Sequence, residues 1–176
     1  GKEPLQVKSI QRSRSAPSSG TPYRGILEAA AFDGQLVLIN EVGLEEYLYS
    51  VVPSEMPVKF GLEALKVQAV AARSYAVRAV DASAYGAHLD DSTASQVYNN
   101  VKEQEVAVQA VTETAGTVAV YGEEIVDTRF FSTSWGYTAN FHEVWSSREN
   151  EFPSTEIPYL TANPQYAGNT PDLQHE

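Results

Sequence analysis

The sequence contains no cysteine, which removes disulfides, thiolate nucleophiles and thiolate metal sites from consideration but leaves the compartment open, since many exported proteins lack cysteine too. Basic residues are scarce: 12 Lys and Arg stand against 23 Asp and Glu, giving a formal net charge of -11 and a pI near 4.7. Nucleic acids and anionic membranes both call for a basic footprint, so no nucleic-acid partner is expected and a neutral or weakly charged ligand fits better. No run approaches the roughly 18 apolar residues needed to cross a bilayer. No charged-then-apolar signal segment opens the sequence, and Gly1 stands first in place of methionine, which leaves room for an export signal upstream. His88, His142 and His175 show no H-x-x-x-H spacing, so the histidines lend no support to a metal site.

What is present patterns clearly. At 176 residues and 43% hydrophobic, the chain can close one substantial core, so a single domain is expected. Residues 4 to 10, "PLQVKSI", alternate as a short strand does, and "QRSRSAPSSGTP" at 11 to 22 reads as a loop or arm. In "ILEAAAFDGQLVLINEV" the Asp33-Gly34 pair lies between apolar runs, and both residues tolerate the positive φ of a tight hairpin turn. "LEEYLYSVV", 44 to 52, is expected to form a short helix that Pro53 stops. Leu62, Leu65, Ala69, Ala72 and Ala76 recur at steps of three and four, predicting a helix over 62 to 79 whose mostly alanine stripe lets a neighbour approach closely. Beyond the polar stretch "DASAYGAHLDDSTASQVYNN", a helix from Lys102 to about Thr114 would turn Val106, Ala110 and Val111 inward. "GTVAVYGEEIVDTRFFSTSWGYT" then gives a second hairpin turning near Gly122. Helices and strands are grouped rather than alternating, which points to an α+β domain with β-hairpins packed around a central Ala-rich helix.

One stretch raises a chemical question. "VVPSEMP", 51 to 57, sets a single carboxylate, Glu55, between two prolines, and two fixed φ angles suggest a rigid connection rather than helix. The apolar neighbours Val51, Val52 and Met56 are a setting in which a carboxylic acid can keep its proton and donate it. That chemistry suits glycosidic-bond cleavage, yet ordinary glycosidases use two carboxylates at a set separation, and Asp90-Asp91 reads as a turn or helix cap. A lone acid suffices only where the substrate brings its own nucleophile. Arg73, beside the alanine stripe, suits either a structural ion pair or a ligand contact. Gln96 and Tyr98 in "SQVYNN" would share one side of a short strand, facing sugar hydroxyls or forming buried structural hydrogen bonds. Ser132, Ser134, Gly136 and Tyr137 in "STSWGYT" fit either a ligand-approaching backbone segment or a tight turn. Trp135 and Trp145 would stack on a sugar ring or fill the core.

Taken together, "LINEVGLEEYLYSVVPSEMP", "LEALKVQAVAARSYAVRA", "DDSTASQVYNN", "FFSTSWGYTAN" with the following "EVW", and "IPYLTANPQY" resemble the sporulation protein D family, whose relatives include amidase-enhancer proteins of bacterial cell walls. The resemblance implies a catalytic domain over 23 to 167, preceded by an arm (1 to 22) and followed by a tail (168 to 176). It implies an extracytoplasmic lytic transglycosylase without a cofactor that acts on peptidoglycan glycan strands, with sporulation members preferring strands denuded of stem peptides. The alternative it carries is a non-catalytic glycan-binding or amidase-enhancing module with a cell-wall amidase as partner. The family's catalytic glutamate carries over onto Glu55. That residue would protonate the glycosidic oxygen and then take the proton of the muramic acid C6 hydroxyl as it closes a 1,6-anhydro ring at C1. Gln68, Arg73, Ser74, Tyr75, Gln96, Tyr98, Ser132, Ser134, Gly136 and Tyr137 occupy motif positions that would line the substrate cleft.

The sequence also departs from the family pattern. Gly43 and Gly61 stand where many relatives have proline, which should loosen both helix starts. Ala94 and Ser95 occupy the slots where some sporulation members bind zinc through His and Cys, so no zinc is expected. Trp135 stands where glycine is common.

Overall fold

The computed structural model describes residues 6–7, 21–78, 86–91, 93, 95–99, 101–132, 136–145 and 152–164. The chain forms two compact units, Gly1–Arg129 and Phe130–Glu176, and the expected domain over 23 to 167 draws on both. The α+β class holds.

In the first unit β1 (Gln6–Val7) pairs antiparallel with β2 (Thr21–Pro22). β3 (Ile26–Phe32) and β4 (Gln35–Glu41) form the predicted hairpin, in register from Phe32 opposite Gln35 to Ile26 opposite Glu41. Its turn places Asp33 at φ 48 and Gly34 at φ 76, the left-handed pair that an Asp-Gly step accommodates. Next come α1 (Leu44–Glu55), a 3-10 turn (Val58–Phe60), α2 (Leu62–Arg78) and α3 (Glu105–Glu113), then the short hairpin β5 (Val120–Tyr121) and β6 (Glu124–Ile125).

The core lies between the three helices. Leu48, Val51 and Val52 of α1, Leu65, Ala69 and Ala72 of α2, and Ala107, Ala110 and Val111 of α3 are fully buried together with most of Tyr98. The alanines at the α2–α3 contact allow the close approach expected of them. Val106 packs only partly, and Ala107 takes the inward place the sequence reading gave it. The packing partners of α2 are helices, and residues flanking the second hairpin reach it by hydrogen bonds, while the first hairpin is tied to Tyr98. Ala119 N–H donates to Ser74 Oγ (2.9 Å), Thr128 Oγ1 to the Ala71 carbonyl (2.7 Å), and Tyr98 Oη to Asn40 Oδ1 of β4 (3.0 Å).

Arg73 locks the three helices. Its guanidinium is 1% exposed and binds Glu45 in the first turn of α1 through Nε to Oε1 (2.9 Å) and Nη2 to Oε2 (2.7 Å). It also donates to the carbonyls of Thr117 (3.0 Å) and Val111 (3.3 Å) beyond and within the last turn of α3. Burial alone would raise the Glu45 carboxyl, but the Arg73 hydrogen bonds, the Gly116 N–H and the Arg73 charge outweigh it and hold the group below the usual carboxylate range.

Two expectations are corrected. Pro53 does not stop α1, which runs on to Glu55. Pro53 lies in the last turn, where it forgoes one backbone hydrogen bond. Complete burial of Val51 and Val52 overrides the extended bias on the residue preceding a proline. Ser54 Oγ donates to the Ser50 carbonyl (2.7 Å) and Met56 N–H to Val52 (3.0 Å), closing the turn. Pro57 ends the helix by holding Met56 extended, at φ -131 and ψ 128. The two glycines also differ: Gly43 has φ -60, a proline value, whereas Gly61 has φ 90, which proline cannot adopt. Gly61 is therefore a conformational requirement and does not merely loosen the start of α2.

In the second unit α4 (Phe141–Val144) is a single turn. Tyr137 bridges Pro164, Thr138 N–H donates to the Asn163 carbonyl (2.8 Å), and Phe141 N–H to that of Leu160 (2.9 Å). Trp145 stacks on Phe141 at 5.2 Å between centroids.

Gly43→Pro should stabilise the protein by about 0.4–1 kcal/mol in urea unfolding, while Gly61→Pro should destabilise it by more than about 1 kcal/mol. Arg73→Met should cost about 3 kcal/mol at neutral pH, the low end for one side of a buried pair because Glu45 is a third exposed and can hydrate. Glu45 is depressed in the folded state, so its share is fully present above its unfolded value of about 4.3 and is lost as pH falls through the lower folded value. The stability gap between wild type and Arg73→Met should therefore narrow in acid, which chemical denaturation across pH measures.

Candidate active site

Tyr47, Val51 and Glu55 follow one another at steps of four, so they lie in a line along α1. Val51 is dry, and one turn later Glu55 is half-exposed at the end of the helix. Its Oε1 accepts the backbone N–H of Val97 at 2.7 Å, a contact across 42 residues of sequence.

The segment carrying Val97 is held from both sides. Gln96 is completely buried. Its Nε2 donates to the Ala72 carbonyl of α2 (3.1 Å), and its Oε1 accepts the Tyr47 hydroxyl of α1 (3.1 Å). Tyr98 stacks on Tyr47 with centroids 5.2 Å apart, and its N–H donates to the Asp91 carbonyl (3.2 Å). Asn40, which accepts the Tyr98 hydroxyl, donates to the carbonyls of Arg24 (2.9 Å) and Ile26 (3.2 Å) and so ties the segment to the β3–β4 hairpin. Asp91 lies in a bend with no turn at the Asp90-Asp91 pair, and Asp90 N–H donates to Ser95 Oγ (3.3 Å).

Burial, then the negative charge of Glu55, and further Tyr98, Tyr75 and Asp91, push the Tyr47 hydroxyl well above the usual tyrosine range. Burial, followed by the charges of Tyr23 and Glu103, pushes Tyr98 up to about 12. Both phenols therefore stay protonated and remain donors at any working pH. Tyr75 is half-exposed and shares the α2 face of Gln68 and Ala72, at steps of four and three. Glu55, Tyr75 and Asp91 are thus all within electrostatic reach of Tyr47.

Several expected cleft residues face inward instead. Arg73 is taken up by Glu45 and two carbonyls, as its ion-pair reading had it. Ser74 donates to the Val70 carbonyl (2.7 Å) and accepts from Ala119. Gln96 and Tyr98 are buried, their polar groups occupied by protein partners. These four do not offer themselves to a ligand, and the physical reason in each case is burial with satisfied hydrogen bonds. Gln68 is also buried, at 4% exposure, and its Nε2 has no partner among the described residues. In the second unit Ser132 and Tyr137 are exposed, while Gly136 is buried with φ 96, as a tight turn requires. Ser134 and Trp135 lie outside the described residues, and Trp145 is half-exposed against Phe141.

Sequence reasoning missed Tyr47, Asn40 and the Val97 N–H. The spacing of eight from Tyr47 to Glu55 would have shown the first once the helix was allowed to pass Pro53. Ser95 Oγ accepts the Asp90 N–H, and among the described residues no group of three or more His, Asp or Glu is placed to hold a metal ion.

Comparison with known proteins gives the relationship. The family model described as Stage II sporulation protein matches residues 32–121. Stage II sporulation protein D of Bacillus subtilis (strain 168) is 36% identical over 146 residues, covering 73% of this chain and 42% of the relative. That of Bacillus amyloliquefaciens is 34% identical over 145 residues with the same coverage. The amidase enhancer of Bacillus subtilis is 38% identical over 115 residues, 65% of this chain and 14% of the relative. The chain spans about two fifths of the length of the sporulation proteins it matches. The matched stretch contains Tyr47, Glu55, Gln96 and Val97, and on this evidence the protein belongs to the Stage II sporulation protein (SpoIID) family.

Proposed function

We propose that the protein is an extracytoplasmic lytic transglycosylase that cleaves the glycosidic bond between N-acetylmuramic acid and N-acetylglucosamine in bacterial peptidoglycan, with Glu55 as the single acid and base. The observation that carries this reading is the aimed carboxylate, half-exposed at the end of a buried helical stripe and bound on one oxygen by the Val97 amide. The protonated carboxyl gives its proton to the bridging oxygen as the C1–O bond breaks, and the bond's electron pair stays with the departing sugar. The muramic acid C6 hydroxyl oxygen bonds to C1, and its proton passes to the Glu55 carboxylate. The acid is restored and no water is consumed. Glycan strands, including those stripped of stem peptides, are the substrate class.

A second reading follows from the relative named amidase enhancer: a glycan-binding module that stimulates a cell-wall amidase without cleaving glycan itself. A third outcome, hydrolysis, would need a second carboxylate placed to activate water.

Mass spectrometry of digests of native and denuded peptidoglycan separates the three. Transglycosylation yields 1,6-anhydro ends, hydrolysis yields reducing ends, and a pure binding module yields neither while still stimulating an amidase. Glu55→Gln keeps an acceptor for the Val97 N–H, so it should fold with wild-type stability, retain glycan binding and lose about 10²–10⁴-fold in turnover. Unchanged turnover in that variant would remove Glu55 from the chemistry.

A further inference from the structure

The Val97 amide does more than anchor a carboxylate, because it distinguishes the two oxygens. An oxygen that accepts a backbone N–H is the better carbonyl-like acceptor, and the neutral acid therefore places its proton on the other oxygen. Val97 in turn has little freedom. Gln96 before it is buried and bridges Ala72 of α2 to Tyr47 of α1, and Tyr98 after it is fastened to Asn40 and stacked on Tyr47. Gln96 is the link that ties this segment to both helices, including the helix bearing Glu55 two turns beyond Tyr47.

We propose that Gln96, together with Tyr47, is a positioning residue that holds the Val97 N–H against Glu55 Oε1 and thereby assigns the transferable proton to Oε2. This rests on the reading of Glu55 as the acid and base. Gln96 does not touch substrate. It acts through Val97, which explains why a residue in a substrate-cleft motif is completely buried.

The test uses the whole chain as wild type, Tyr47→Phe, Gln96→Met and Glu55→Gln. Tyr47→Phe removes one hydroxyl and keeps the ring stack, so it decides the matter even if Gln96→Met fails to fold, as circular dichroism would reveal. The first measurement is the pH titration of the Val97 amide proton by nuclear magnetic resonance. The ionisable side chains facing Tyr47 are Glu55, Tyr98, Tyr75 and Asp91, and those facing Tyr98 are Tyr23, Glu103, Arg24 and Glu46, and of these only Glu55 is lost in Glu55→Gln. In wild type the Val97 amide should shift as Glu55 ionises, and Glu55→Gln should abolish that shift. Tyr47→Phe and Gln96→Met should reduce its amplitude by about half or more. The second measurement is kinetic: kcat should fall about tenfold in the positioning variants with KM changed less than about twofold, as expected when a reacting group is misaligned. Folded variants with a full-amplitude Val97 shift and unchanged kcat would overturn the proposal. Absence of anhydro products from wild type would overturn the transglycosylase reading, and the amide titration would still decide whether Gln96 positions Val97 against Glu55.

Discussion

A single buried cation organises the first unit. Arg73 reaches Glu45 on α1 and the backbone at the end of α3 from its own place on α2, so one planar group fixes the mutual placement of three helices whose apolar contacts, largely alanine and valine, are non-directional. The short link through the 3-10 turn brings α2 back antiparallel to α1, and the Arg73–Glu45 pair near the end of one and the start of the other sets the register between them. A hydrophobic replacement could fill the same volume, but it would not select one sliding position of the helices. The guanidinium fork does so, because its donors are directed at the Glu45 carboxylate and the carbonyls of Thr117 and Val111.

The candidate site is a consequence of that register. Gln96 spans from the Ala72 carbonyl, adjacent to Arg73, to Tyr47, two residues beyond Glu45. The bridge spans the same two helices that the ion pair joins. With the bridge closed, Val97 is delivered to Glu55. The ion pair and the Gln96 bridge thus join the same two helices at neighbouring positions, Arg73 and Ala72 on α2, Glu45 and Tyr47 on α1.

How much of this was legible in the sequence depends on the range of the interaction. The β3–β4 turn, the α2 stripe and the hairpin at Gly122 were readable because each is decided within about ten residues. Which of the two open readings of Arg73 and Gln96 holds was not, since the partners that decide it lie 24 to 49 positions away and a polar residue in a motif looks the same whether it meets a ligand or a buried carbonyl. Gly61 was misread for a related reason: a glycine that loosens a chain and one that alone can adopt φ 90 have the same letter. Glu55 stands out in the sequence by its flanking prolines, whereas its mounting on a helix does not, because the burial of Val51 and Val52 that overrides Pro53 is a tertiary effect.

The two prolines act in sequence on the same carboxylate. Pro53 is accepted inside the last turn because the turn is anchored by buried valines, and its fixed φ removes motion from the backbone that leads to Glu55. Pro57 then denies the helix a further residue by forcing Met56 into an extended conformation. With the stop set there, the line Tyr47–Val51–Glu55 ends on the carboxylate, and burial changes from complete to partial within one turn. Had the helix continued, the next turn would have covered that position. The carboxylate is therefore fixed on one oxygen by the Val97 amide and yet reaches solvent from the end of a helix whose preceding turn is buried.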